Sequence, residues 1–129
     1  MSRLFFSLAL LFVLAACGTA PKDVALPAAV PGGWTRTAMK EIRKADAPGR
    51  IAELDLKKAW HGVYDGPTAV EVEVYQFHSS TAAFEARQSW RPDGKRMVHQ
   101  RNELFITAHS PQPDRSALEN FMTALGKAL

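Results

Sequence analysis

Residues 69–77 read A-V-E-V-E-V-Y-Q-F, which puts Val70, Val72 and Val74 on one side of an extended chain and Glu71 and Glu73 on the other. This alternation predicts a half-buried strand. It switches at Tyr75 and Phe77, which fall on the glutamate side, and a bulge or a helix covering that end would account for the switch. Just upstream, residues 57–64 place Lys58, Trp60, Gly62 and Tyr64 on one face and Ala59, His61 and Val63 on the other. Asp65-Gly66-Pro67 between the two runs is a turn signal, so together they predict an antiparallel hairpin. Residues 96–101, a tight turn at Asn102-Glu103, and residues 104–109 predict a second hairpin. In its second strand Leu104, Ile106 and Ala108 share one face, and Phe105, Thr107 and His109 share the other.

Helical periodicity appears twice. Ser79-Ser80-Thr81 is a cluster of helix-capping residues, Ala83, Phe84, Ala86 and Trp90 follow at helical spacing, and Pro92-Asp93-Gly94 stops the run. Leu118, Phe121, Met122, Leu125 and Leu129 form the strongest amphipathic pattern in the chain. Ser116 with Glu119 reads as its capping box, and Asp114 is a rival cap. Residues 35–42 alternate loosely and predict a first strand. Pro48 opens a short helical turn through Ile51 and Leu54, since proline is tolerated at a first helical position. Adjacent strands connected this way pair antiparallel, and two helices suffice to cover one face of the sheet. The expected fold is therefore α+β, a two-layer sandwich with an antiparallel sheet of four or five strands covered by two helices.

The N-terminus follows a different pattern. From Leu4 to Ala16 every residue but Ser7 is apolar, and Arg3 is the single charge before Lys22. The run is short of the roughly 20 residues that a membrane-spanning helix needs. A positive start, an apolar core and small residues at its end describe an export signal over residues 1–16. The run ends in Leu14-Ala15-Ala16-Cys17, which resembles the lipobox of bacterial lipoproteins. In that family the cysteine sulfur takes a diacylglycerol, a dedicated peptidase cleaves before the cysteine, and the new amine is acylated. The resemblance implies cleavage after Ala16, with Leu14, Ala15 and Ala16 as recognition residues and Cys17 as the lipidation site. One acyl chain holds a protein to a membrane only marginally, whereas several make the attachment effectively permanent. Gly18, in place of the aspartate that retains enteric lipoproteins in the inner membrane, favours the periplasmic face of the outer membrane. Residues 17–33, rich in Pro, Gly and Ala, read as a lipidated cysteine and flexible tether with a reach on the order of 20 Å. They would precede a single domain over residues 34–129.

Composition sharpens this division. The chain has 129 residues with a net charge of +3, 47% apolar residues and one cysteine. These values exclude a multidomain enzyme, a disulfide scaffold and a four-cysteine zinc site. Removing the leader takes away Arg3 and much of the apolarity, which leaves a slightly basic domain held together by a modest core. Gly33-Trp34, Tyr64-Asp65-Gly66 before the valine strand, Ala83-Phe84-Glu85, the run from Arg87 to Pro92, and the helix over residues 118–129 resemble small, uncharacterised exported bacterial proteins. That resemblance implies the same α+β fold and carries over no catalytic or binding residue.

Candidate chemistry is sparse. His61, His78, His99 and His109 show no helical metal-ligand spacing. A cross-strand pair such as His99 with His109 is conceivable, but solvated or satisfied histidines are the commoner outcome, so no metal is expected. Glu71 and Glu73 share a strand face, and on such a strand they more often mark the wet side than an acid–base pair. Gly-x-Ser-x-Gly, Ser-x-x-Lys and phosphate-binding glycine loops are absent from the sequence, so no catalytic residue and no cofactor is assigned. Arg87, Trp90, Arg91, Lys95, Arg96 and Arg101 crowd into fifteen residues and form a candidate contact for anionic lipid headgroups or envelope polymers. The competing reading is a solvated face whose arginine stems cover apolar surface. Trp60 is assigned to the core, while Trp34 and Trp90 fit either core or a ligand groove.

The expected protein is a non-catalytic structural, adaptor or binding module, lipid-anchored in the bacterial envelope. Its partners would be the membrane through Cys17 and an envelope protein or anionic polymer, and not nucleic acid. The alternative is a carrier or sensor of a small or amphiphilic ligand; an envelope hydrolase is further off.

Overall fold

A strand that alternates valine and glutamate needs apolar cover on one side only, and the sheet is built around this asymmetry. The computed structural model describes residues 22–91, 94–112 and 114–129. The leader, Cys17 and the Pro92-Asp93 helix stop lie outside the described residues. Six strands form one antiparallel sheet: β1 (Ala29–Val30), β2 (Trp34–Glu41), β3 (Leu56–Asp65), β4 (Val70–Phe77), β5 (Arg96–Arg101) and β6 (Leu104–His109). Their spatial order is β1-β2-β3-β4-β6-β5, so the alternating strand β4 is central and β5 is an edge. Two helices complete the fold, α1 (Ser80–Ser89) and α2 (Arg115–Ala128). The α+β class, the antiparallel sheet and the two helices agree with the sequence reading. Five strands have six or more residues; the sixth, β1, is a two-residue addition at the edge.

The layering differs from the expectation of one covered face. Helix α2 packs Leu118, Phe121, Met122 and Leu125 onto the valine face, against Val70, Val72, Val74, Leu104, Ile106 and Ala108. Helix α1 packs Ala82, Ala83 and Ala86 onto the glutamate face, against Tyr75, Phe77 and Phe105. Since Phe105 and Ile106 are neighbours on one strand, the helices lie on opposite sides of the sheet. Tyr75 and Phe77 are the reason: two large side chains on the otherwise wet face must be covered, and α1 covers them. The switch in the pattern is thus a covering helix and not a bulge in β4, which pairs with β6 in continuous register from Glu71 to Gln76.

Caps set the helix starts. The Ser79 hydroxyl accepts from the Ala82 amide, and Asp114, the rival cap, accepts from the Ala117 amide. Pro48 lies just before the short 3-10 turn Gly49–Glu53, whose Ile51 is buried under α1.

Residues 22–33 are not the loose tether expected from their composition. Leu26 and Val30 are buried in the α2-side core, and β1 pairs with the start of β2. The segment crosses the valine face beside α2 as a strap. Gln76, fully buried on that face, donates its amide to the Lys22 carbonyl at 2.6 Å and accepts from the Val24 amide at 3.0 Å. One glutamine therefore does what a paired strand residue would do. At the other end, the Tyr64 hydroxyl donates to the Pro27 carbonyl at 2.7 Å, and burial pushes its pKa up to about 12.

Asp23 adds an electrostatic clasp, meeting Lys57 at 3.1 Å and Lys58 at 3.2 Å. Two consecutive residues reach one carboxylate because the register shifts between Leu56 and Lys58, which breaks the usual alternation. Hydrogen bonds from Lys57 and then Lys58 hold the Asp23 carboxyl below its ordinary 3.8. The lowered folded value means that the clasp contributes fully above pH 3.8 and is lost as pH falls through that lower value. Hydrogen exchange at the Val24 amide is therefore expected to keep its protection on acidification down to that point. Loss of protection between neutral pH and pH 5 would contradict the clasp.

Candidate functional site

Helix α1 covers only the part of the glutamate face around Tyr75 and Phe77. The remainder stays open, and cross-strand register decides which residues meet there. One row runs Lys40, His61, Glu73, Thr107 and Val98; the next runs Ala38, Val63, Glu71, His109 and Arg96. Lys40, His61 and Glu73 of the first row, with Glu41 at the end of β2 and Ile42, Arg43, Asp46 and Pro48 beyond it, line an open groove of about 600 Å³ that Tyr75 and Arg96 also reach.

Glu73 is the centre of this groove, with its side chain only 18% exposed. Its Oε2 accepts from the Tyr75 hydroxyl at 2.5 Å and from the Thr107 hydroxyl at 3.5 Å, and lies 3.7 Å from Arg96 Nη1. Burial, and then the contact with Glu73, push the Tyr75 hydroxyl well above the ordinary tyrosine value, so it remains a proton donor to Glu73. Arg96 also lies over the Trp90 ring, 5.9 Å from its centroid, and Trp90 leans on Phe105. Beside this cluster, His109 Nε2 and Glu71 Oε2 are 2.6 Å apart. The result is a pre-set surface of alternating charge in which the central carboxylate already has three partners.

Tyr75→Phe removes the closest of those donors while keeping the ring. It is expected to lower unfolding stability by about 1.5–3 kcal/mol, the usual loss for a hydrogen bond to a charged acceptor. Chemical denaturation checks this, and an unchanged midpoint would mean the contact contributes nothing.

The arginine-rich segment does not form a single patch. Along β5, Arg96 faces the glutamate side, whereas Arg101 faces the opposite side, where its guanidinium donates to the Gly126 carbonyl at the end of α2. Arg87, Arg91 and Lys95 are exposed, and Trp90 is half-buried. Trp34 is a core residue, its indole N–H donating to the Thr68 carbonyl at 3.1 Å. Trp60 packs at the margin of the same cluster, under Lys58.

The cross-strand pairing of His99 with His109 does not occur. His99 pairs in register with Ile106 and lies near Gly126 on the α2 side, while His109 belongs to the glutamate face. His78 is 4.0 Å from Asp55 at the surface. Among the described residues no group of three metal-ligating side chains comes together, and no helix is long and apolar enough to cross a membrane. Glu71 and Glu73 do share the open face, as their spacing implies. Tyr75 joins them by the same alternation on β4, and Thr107 and Arg96 only through the β4-β6-β5 pairing order. No protein-family model, curated protein or solved structure matches the chain.

Proposed function

We propose that this chain is a lipid-anchored protein of the bacterial cell envelope, attached through Cys17, whose domain is a non-catalytic binding or adaptor module. The observation that carries the reading is Leu14-Ala15-Ala16-Cys17 at the end of an apolar run. Only four residues separate that cysteine from Lys22, the point at which Gln76 ties the chain into the fold. Gly18 favours the outer membrane. The open glutamate face supports binding over catalysis: Glu73 is engaged by Tyr75, Thr107 and Arg96, an arrangement that fixes a charged surface for a polar partner. An envelope protein or an anionic polymer has the matching chemistry. The carrier alternative has less support, because Trp34, Tyr64 and Phe121 pack against one another where the strap side of the sheet meets α2, and the grooves between α2 and β5 are open to solvent.

Metabolic labelling with a fatty-acid analogue tests the anchor. The native chain is expected to incorporate the label and Cys17→Ala to lose it entirely. Equal labelling of both, or none in the native chain, would overturn the reading.

A further inference from the structure

The strap fixes where the anchor leaves the domain. Lys22 is held by Gln76, near the end of β4, and Gln76 pairs with Leu104 at the start of β6. Arg101, opposite Leu104 on β5, donates to the Gly126 carbonyl in the last turn of α2. Lys22, the β5–β6 turn and the C-terminal turn of α2 therefore share one end of the molecule. The other end carries the start of α2 and Ser110, just past the row where His109 pairs with Glu71. Five residue steps along β4 lie between Gln76 and Glu71, about 17 Å along the strand. Lys95, one residue before Arg96 in that same far row, belongs to the far end as well.

The chain from Cys17 to Lys22 is five residue steps, which span at most about 17 Å fully extended. A lipid on Cys17 thus keeps the Gln76 end close to the headgroups. Two exposed lysines, Lys22 and Lys127, lie at this end and suit an anionic phospholipid surface.

From this placement we infer that the Gln76 end of the sheet, with Lys22 and Lys127, is the domain's bilayer-facing surface. The far row of the glutamate face and Lys95 are then held away from the membrane to which Cys17 is attached. The inference rests on the lipid-anchor reading. It also removes Lys95 from contact with that bilayer.

Helix α2 supplies the ruler. It has 14 residues, about 20 Å of axis, with Gln112 just before its start and Lys127 in its last turn, both exposed. With the Cys17 sulfur lipidated, a cysteine introduced elsewhere is the sole free thiol. Lys127→Cys and Gln112→Cys would be made in the full-length chain, bimane-labelled, and reconstituted in phosphatidylethanolamine–phosphatidylglycerol vesicles containing a nitroxide-headgroup lipid. Quenching is expected to be several-fold stronger at position 127 than at position 112. Equal quenching, or stronger quenching at 112, in chains that sediment with the vesicles would overturn the orientation while leaving the anchor intact. Chains that do not sediment with the vesicles would overturn both.

Discussion

Phe121→Ala is expected to lower the unfolding free energy of the domain by about 3–5 kcal/mol, the range for truncating a fully buried aromatic. Phe121 is inaccessible to solvent and sits where α2 meets the strap and the sheet. It meets Trp34 edge-on at 5.4 Å and Tyr64 at 5.2 Å, so its loss removes two aromatic contacts as well as buried area. The neighbours have little freedom to collapse into the gap: the Trp34 N–H is tied to Thr68 and the Tyr64 hydroxyl to Pro27. Small domains have about 5–15 kcal/mol of stability in all, so the variant should approach the threshold of folding. Denaturant unfolding followed by tryptophan emission measures this. A loss below about 1 kcal/mol would mean that this cluster is not the main core.

The second large effect is expected at Gln76. Gln76→Leu keeps the volume and deletes both hydrogen bonds to residues 22–24. Each group left without its partner costs about 1–3 kcal/mol when water cannot replace it. The strap is only partly buried at Lys22 and Val24, so partial hydration moderates the total to about 2–4 kcal/mol. The loss should be localised. The Val24 amide should lose its exchange protection, while the α1 side, centred on Phe105, keeps its own. Uniform loss across both faces would show instead that the strap and the sheet unfold as one unit.

Much of the fold was legible in the sequence because β4 and α2 repeat with clean periods, and their bounds follow from turn and cap residues. The strap was not. Proline, glycine and alanine dominate residues 22–33 and mask the few apolar side chains, Val24, Leu26 and Val30, that hold the segment down. Its anchor, Gln76, reads as an ordinary polar residue until its amide is seen to mimic a strand edge. The position of α1 was encoded in the parity of Tyr75 and Phe77, but parity cannot distinguish a bulge from a covering helix. Parity also separates Arg96 from Arg101, which are five residues apart on one strand and so face opposite sides. The groove was half legible. Glu71, Glu73 and Tyr75 share a face by spacing on β4, whereas Thr107 and Arg96 reach Glu73 only once β6 inserts between β4 and β5. That insertion is a property of the whole chain, with no local signal to announce it.

The groove and the bilayer-facing end both take their meaning from the attachment at Cys17, and the intact mass of the chain extracted from bacterial membranes tests that attachment most directly. The expected species is a polypeptide that starts at Cys17 and carries the added mass of a diacylglyceryl group and an amide-linked acyl chain. A chain that retains residues 1–16, or one that starts at Cys17 with an unmodified sulfur, would contradict it.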